Sequence, residues 1–315
     1  MADPEAINAE GVNIVERRVL SPDDQRAVHA ILDAAGEADG VAALGEAPVA
    51  ALGRHSPAVH HVLAFDADVL VGYASVLPGR DGEPSTVEAV VAPPARGRGI
   101  GTELLTAALA VGGADTRAWA HGDLPAARAL AARLGLVPRR ELLQLRRGLE
   151  ELPALPSHDD IELRTYAGPA DDAEILRVNN AAFDWHPEQG GWTAEQIVER
   201  TGADWFDPAG LFLAFDRSVG GADDAKLLGF HWTKIHDEQL GEVYIVGVDP
   251  AAQGRGLGRQ LTLAGLHYLA QRVSTVTLYV EGDNTAALAT YRNLGFVPYL
   301  ADVAYGRADD ATDGR

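Results

Sequence analysis

Apolar residues along this chain alternate between short runs that suit strands and longer stretches at helical spacing. Residues 1–12 are polar, carry no period and are expected to form a loose tail. Ser21 followed by Pro22 reads as a cap and first-turn proline, predicting a helix to about residue 35, with Gly40 ending the connection beyond it. Runs 62–65 and 70–76 read as paired strands joined at Asp66-Ala67-Asp68, and 87–91 as a third. A helix with Ile100, Leu104, Ala108 and Val111 on one face follows, then a strand at 117–120. A helix over 125–133, closed by Gly135, and a strand at 142–145 complete the first half.

The segment 152–160 holds Pro153 and Pro156 and shows no alternation, so it reads as a linker. The order then repeats. A strand is predicted at 161–166 and a helix over 169–183, with Asp171 and Asp172 in its first turn, as the helix dipole favours. An irregular insertion (186–192), a helix (193–200) and strands at 211–215, 227–234 and 242–248 come next. A helix carrying Leu257, Leu261, Ala264 and Tyr268 on one face leads to a strand at 276–280. Asn284 caps a helix to residue 293, Gly295 ends it and Phe296 opens the last strand, with residues from about 308 a second loose tail. Strands and helices in this order predict an α/β fold, a mixed sheet with flanking helices in each half. The expected domains are 1–150 and 161–315, joined by the linker 151–160.

Each half carries a glycine-rich run between a strand and a helix. In the second it is Gln253-Gly254-Arg255-Gly256-Leu257-Gly258, and in the first Arg96-Gly97-Arg98-Gly99-Ile100-Gly101. The flanks correspond as well, Val91-Ala92-Pro93-Pro94-Ala95 against Val248-Asp249-Pro250-Ala251-Ala252. Such a loop aims backbone N–H groups and the positive end of a helix dipole at one point, which is an anion site suited to phosphate. Arg259 and Gln260 stand where a P-loop needs Lys and Ser or Thr, and Gly258 arrives one residue early for a dinucleotide fingerprint. The spacing resembles the pyrophosphate loop of the GNAT superfamily of acetyl-CoA-dependent N-acetyltransferases. A glycine-rich turn without function is the plain alternative for one copy. Two copies in one context point to an internal repeat, a tandem GNAT.

Length and composition narrow the function. The 315 residues, 47% hydrophobic and 23% charged, suit two globular domains. A formal net charge of −20 argues against nucleic acid or an anionic membrane as partner. Against that field, local arginines (Arg96, Arg98, Arg255 and Arg259) and loop amides must hold a phosphate. No run is long and apolar enough for a membrane span, and Met1-Ala2-Asp3-Pro4-Glu5 does not read as a signal peptide. With no cysteine, disulfides and thiolate metal sites are excluded, and a cytoplasmic enzyme is expected. His55, His60 and His61 lack a carboxylate at ligand spacing, so no metal is expected. A monomer is expected, since tandem halves supply two domains within one chain.

Acetyl transfer from a thioester to an amine requires the carbonyl to be polarised, the ammonium deprotonated and the thiolate stabilised. A backbone N–H at Val246, Gly247 or Val248 suits the first task if Gly247 opens the strand. Glu242 suits the second, strand alternation putting it on one face with Tyr244, Val246 and Val248. Taken alone, a solvated strand-end glutamate is the commoner case. Tyr291 suits the third, although a core aromatic whose hydroxyl finds a partner is otherwise more common. Aligning the halves puts Ser85 opposite Glu242 and Ala131 opposite Tyr291, so the first half keeps the loop and lacks both proton-transfer candidates.

Beyond the superfamily, the second half resembles the mycothiol synthase family. The resemblance is carried by Arg177-Val178-Asn179-Asn180-Ala181-Ala182-Phe183, His186-Pro187-Glu188-Gln189-Gly190-Gly191-Trp192-Thr193 and Leu228-Gly229-Phe230-His231-Trp232-Thr233-Lys234. Gly241-Glu242-Val243-Tyr244, Leu278-Tyr279-Val280-Glu281 and Asp283-Asn284 add to it. In the first half Asp39-Gly40-Val41, Trp119-Ala120-His121-Gly122 and Arg140-Glu141-Leu142 agree. The resemblance implies acetylation of the cysteinyl amine of desacetylmycothiol, a cysteine–glucosamine–inositol conjugate, by acetyl-CoA. It implies Glu242 as base, Tyr291 as acid, and Glu46, Glu188, Lys234, Glu242 and Tyr279 as acceptor contacts. It implies acetyl-CoA contacts at Val246, Gly247 and Val248 and at Gln253, Gly254, Arg255, Gly256, Leu257, Gly258 and Arg259. Further contacts are implied at Asn284, Thr285, Ala286, Ala287, Leu288 and Ala289. A second acetyl-CoA is implied in the first half, at Ala89, Val90, Val91, Gly97, Arg98, Gly99, Ile100, Gly101 and Thr102, with Arg96 where the second loop has glutamine. An acceptor rich in hydroxyls suits a cleft of carboxylates and lysine. Trp185 and Trp192, flanking the insertion, would line that cleft or pack beneath it. The rival readings are an acetyltransferase for another small-molecule or peptide amine and a non-catalytic acetyl-CoA-binding regulator.

Overall fold

The computed structural model of the chain describes residues 6–7, 11–53, 58–79, 83–157, 160–184, 189–217 and 226–308. Cα proximity divides the chain into two units, Met1–Leu142 with Leu300–Arg315, and Leu143–Tyr299. The division falls inside two strands and not at the proline-bearing segment 151–160, because each unit is completed by a strand from beyond its own half of the sequence.

The first unit contains β1 (Ala6–Ile7), β2 (Val12–Arg17), α1 (Pro22–Asp39), α2 (Glu46–Ala51), β3 (His60–Asp66), β4 (Val69–Leu77) and β5 (Thr86–Val91). It continues with α3 (Ile100–Gly112), β6 (Arg117–Ala120) and α4 (Pro125–Arg133). Ser21 caps α1 through a capping box with Asp24, and the left-handed Gly40 stops it, so the helix runs further than its apolar face predicted. The strand β2, within a stretch that gave no strand signal, and the six-residue α2 are additions to the expected order. Strands β2 to β5 pair antiparallel, and β6 joins β5 in parallel through Thr86–Arg117 and Val87–Ala118. Antiparallel to β6 lies the end of the chain, in β13 (Val297–Arg307), with Val303 opposite Ala120 and Tyr305 opposite Ala118. One face of this sheet packs Val62, Val87 and Val303 against Ile100, Leu104 and Ala108 of α3. The other packs Leu63, Tyr73 and Val90 against Val28 and Ile31 of α1.

The strand expected at 142–145 is longer, β7 (Leu136–Gly148), and its residues from 143 onward belong to the second unit. There it neighbours β12 (Thr275–Glu281), with Gln144 Nε2 donating to Thr277 Oγ1 at 3.0 Å. The second unit's other elements are β8 (Ile161–Thr165), α5 (Asp172–Ala182), α6 (Ala194–Thr201), β9 (Leu211–Asp216), β10 (Leu227–Ile235) and β11 (Leu240–Val248). They are followed by α7 (Leu257–Leu269) and, after β12, α8 (Thr285–Asn293). Strands β8 to β11 are antiparallel, and β12 adds in parallel to β11. Asp171, expected as a helix-dipole acid, closes a 3-10 turn and receives Arg164, whose guanidinium holds its carboxyl below the usual range against the opposing effect of burial.

The strand β11 contains a bulge that the sequence concealed. Trp232 pairs with Ile245 and Thr233 with Val243, leaving Tyr244 as the extra residue. Tyr244 and Ile245 therefore both join the cluster of Ile175, Val178 and Trp232, whereas Val243 and Val246 join Leu263 and Leu266 of α7. The alternation expected to align Glu242, Tyr244, Val246 and Val248 on one face is broken at this point. Gly247, expected to open the strand, stays in register opposite Phe230, and a Cβ there would meet Phe230 Cε1 at 2.7 Å. Its role is to admit that ring.

Candidate functional site

The two glycine loops have the same backbone. Each leaves its strand through a proline-led 3-10 turn, Pro93–Ala95 and Pro250–Ala252. Arg96 (φ −68, ψ 161) and Gln253 (φ −65, ψ 159) then take the same extended conformation. Gly97 and Gly99 have φ of 78 and 88, and Gly254 and Gly256 both have 79. The exchange of glutamine for arginine thus leaves the N–H geometry unchanged. Left-handed glycines turn successive N–H groups toward one side, and Gly99 and Gly256 are the N-caps of α3 and α7, with no side-chain cap bond at either helix start among the described residues. A Cβ on Gly97, Gly99, Gly254 or Gly256 would meet nothing within 4 Å, so the space over each loop is open to a ligand.

The arginines assigned to phosphate are mostly paired already. Arg96 makes two bonds to Asp39, at 2.7 and 2.8 Å, and donates from Nε to the Val91 carbonyl. Arg98 bonds Asp66 at 2.7 Å, and Arg255 bonds Asp160 at 2.6 Å. Arg259, exposed on the first turn of α7, makes no ion pair among the described residues. These pairings leave the backbone amides and Arg259 as the candidate anion donors.

In the second unit the parallel ladder between β11 and β12 pairs Leu240–Thr275, Gly241–Val276 and Glu242–Thr277, and among the described residues it goes no further. Glu242 is thus the last rung, and the amides of residues 246–248 follow where β12 no longer pairs. Its side chain is buried, 8% exposed. Its Oε2 lies 2.7 Å from His236 Nε2, and Lys234 is its cross-strand partner on β10. The Lys234 ammonium stands over the rings of Trp205 (5.1 Å) and Tyr244 (5.7 Å), so the expected base and the expected acceptor lysine do share one face.

Tyr291 lies in the cluster that holds Val246 and Leu288, edge-on to Phe296. Burial pushes its phenol up to about 12, so it carries its proton at neutral pH. Asn284 caps α8 by accepting from the Ala287 N–H at 3.1 Å, leaving residues 285–289 as the first turns of the helix. Tyr279 is half exposed on β12, its hydroxyl 3.2 Å from Gln144 Nε2. Glu46 opens α2 in the first unit and is exposed. Glu188 lies outside the described residues, as do Trp185 and His55. Trp192 is 5% exposed, in the cluster of Trp232 and Ile245 and under the Arg200 guanidinium. His60 and His61 take Glu16 and Tyr73 as partners.

The first unit holds a cavity of about 920 Å³ between its glycine loop, β5, β6 and α4. Ala89, Val90, Val91, Gly97, Gly99, Ile100, Gly101 and Thr102 line it, all of them contacts that the family resemblance implied. Ala131, opposite Tyr291 in the repeat, lines the cavity and is buried against the α3 residues Ile100, Leu104 and Ala108. One cluster beside this cavity escaped the sequence reading. The imidazole of His121, itself lining the cavity, lies 2.9 Å from Glu88 Oε2 and 3.2 Å from Asp302 Oδ2. Glu88 also accepts from the Gly45 N–H at 2.6 Å, and Asp302 from the Gly122 N–H at 2.8 Å. Burial opposes the imidazolium, but the two carboxylates outweigh it and raise His121 to about 10. The same contacts hold Asp302 below the usual carboxylate range against burial.

The GNAT acetyltransferase family model matches residues 28–136 and 178–296. A mycothiol acetyltransferase of Gordonia bronchialis is 61% identical over 298 residues, which cover 92% of this chain and 94% of that one. One from Nocardia farcinica is 61% identical over 89% of this chain and 92% of its own, and one from Mycolicibacterium smegmatis is 54% identical over 92% and 97%. Among solved structures, a GCN5-related N-acetyltransferase from Sphaerobacter thermophilus superposes with a TM-score of 0.68 at 23% identity, covering 93% of this chain and 94% of that one. A tandem GNAT protein from the clavulanic acid biosynthesis pathway gives 0.61 at 19%, covering 95% and 100%. These two likenesses concern the fold.

Proposed function

The chain belongs to the GNAT acetyltransferase family, among the mycothiol acetyltransferases, and from that premise we infer that it moves the acetyl group of acetyl-CoA onto the cysteinyl amine of desacetylmycothiol. The reading is carried by the position of Glu242, buried at the last rung of the β11–β12 ladder and just before the amides of 246–248. An α-ammonium with an ordinary pKa near ~8 is mostly protonated at neutral pH, so a base beside the thioester is required. Glu242 takes that proton. The amine nitrogen attacks the thioester carbonyl, whose developing oxyanion is met by an N–H of Val246, Gly247 or Val248. As the C–S bond breaks, the thiolate takes the proton of Tyr291, the nitrogen passes its second proton to the tyrosinate so formed, and Glu242 returns its proton to solvent, leaving the acetamide and CoA.

Acetyl-CoA enters as co-substrate, its diphosphate against the amides of Gln253–Arg259 and its pantetheine beside the start of α8. The open space over Gly254 and Gly256 supports that seat. Lys234 and Tyr279, with Glu242, face the hydroxyl-rich acceptor. The first unit's cavity takes a second acetyl-CoA, without turnover there. Release of CoA from acetyl-CoA, followed with the cysteinyl–glucosaminyl–inositol conjugate and with peptide amines, tests the reading. Release with the conjugate alone is expected. Turnover of peptides in its place overturns the acceptor assignment, and binding without turnover overturns the enzyme reading of the site.

A further inference from the structure

We infer that His236 is a positioning residue for the transfer, holding one oxygen of the Glu242 carboxylate so that the other is left for the proton of the acceptor ammonium. The inference rests on Glu242 being the base. His236 follows directly on the end of β10 and begins the turn into β11. Its backbone N–H donates to the Leu240 carbonyl at 2.9 Å. Asp237 locks the same turn, its Oδ1 accepting from the N–H of Gln239 at 2.7 Å and of Leu240 at 2.9 Å. The imidazole is therefore delivered from a fixed backbone, and its Nε2 comes within 2.7 Å of Glu242 Oε2.

Glu242 Oε1 has no hydrogen bond among the described residues. A carboxylate with one oxygen anchored and one free presents a single orientation to a substrate. Without the anchor it rotates, and the reacting oxygen is in place for only part of the time. A neutral imidazole donates its Nε2–H to the carboxylate, which still accepts a proton on Oε1. The titratable and charged groups around it are Lys234 on β10, Asp237 and Glu238 in the turn and Tyr244 on β11. On β12, Thr277 stands opposite Glu242, with Tyr279 beyond.

Steady-state rates measured at neutral pH on the full chain test this. His236→Ala is expected to lower kcat/KM for the acceptor by about tenfold to a hundredfold, mainly in kcat, as befits loss of a hydrogen bond to a charged group. CoA affinity and melting temperature stay at the parent values, and added imidazole restores part of the rate. His236→Gln keeps an N–H donor without a titrating ring. It is expected to retain most of kcat. A His236→Ala rate within about twofold of the parent overturns the inference. So does an equal loss in both variants that imidazole does not relieve. Glu242→Gln separates the two layers of the argument. Full turnover in that variant overturns the base assignment itself, whereas lost turnover there beside an unaffected His236→Ala overturns only the role of His236.

Discussion

Gly256→Ala isolates the contribution of the loop backbone to cofactor binding. Gly256 is the N-cap of α7 with φ 79 and ψ 3, and a Cβ placed on it would meet nothing within 4 Å. The substitution therefore introduces no clash, and its whole cost is torsional. An L-residue in the left-handed region costs about 1–2 kcal/mol. That cost appears in one of two places. If the loop relaxes in the free protein, the strain is restored when the diphosphate binds, and the CoA dissociation constant of the second unit rises by about fivefold to thirtyfold, at 1.4 kcal/mol per factor of ten. If neighbouring structure holds the loop in place, the same about 1–2 kcal/mol is lost from stability instead. Calorimetric titration with CoA and a thermal melt on one preparation measure both quantities. Gly99→Ala, with φ 88 and equally open surroundings, is the matched change in the first unit. A dissociation constant and a melting temperature both unchanged in Gly256→Ala would refute the reasoning, since the left-handed turn would then contribute nothing.

Glu242→Gln is expected to lower kcat by about a hundredfold to ten-thousandfold, the usual yield of a general base, with CoA affinity unchanged, while Ser85→Ala leaves turnover at the parent rate; equal losses in a steady-state assay would contradict the division of roles. Gly265→Ala places a Cβ on the ring of His231 and 2.9 Å from Thr233 Cγ2, where α7 crosses the sheet. Overpacking of this kind costs about 1–3 kcal/mol, read as a lower melting temperature of the second unit. His121 has a raised pKa, so the stability it brings is complete below about 6.5, its unfolded value, and is lost as pH rises through about 10. Melting temperatures taken from neutral pH to pH 10 should fall more steeply in the parent than in His121→Gln, and parallel curves would show that the imidazolium is not the stabilising form.

Most of the scaffold was legible in the sequence because its signals act over a few residues. Ser21 and Asp24 cap α1 within one turn, Asn284 caps α8 in the same way, and the two glycine runs specify left-handed turns wherever they occur. Strand and helix order, the repeat and the two glycine loops follow from such local rules and from alternation.

What tertiary structure alone decided involves partners that no local rule connects. Asp302 reaches His121 across 181 positions, because the last strand joins β6, and nothing near either residue announces the meeting. The β11 bulge at Tyr244 is set by the opposing strand, whose Trp232 and Thr233 skip one residue, so alternation counted along β11 alone assigned the wrong face to Val246 and Val248. Gly247 reads as a strand-opener until Phe230 is seen against it. His236 reads as a turn histidine until the hairpin folds it onto Glu242. The chemistry of single residues is written in the chain, whereas the pairing of charges depends on the free energy of the whole fold, which brings distant side chains within hydrogen-bond distance.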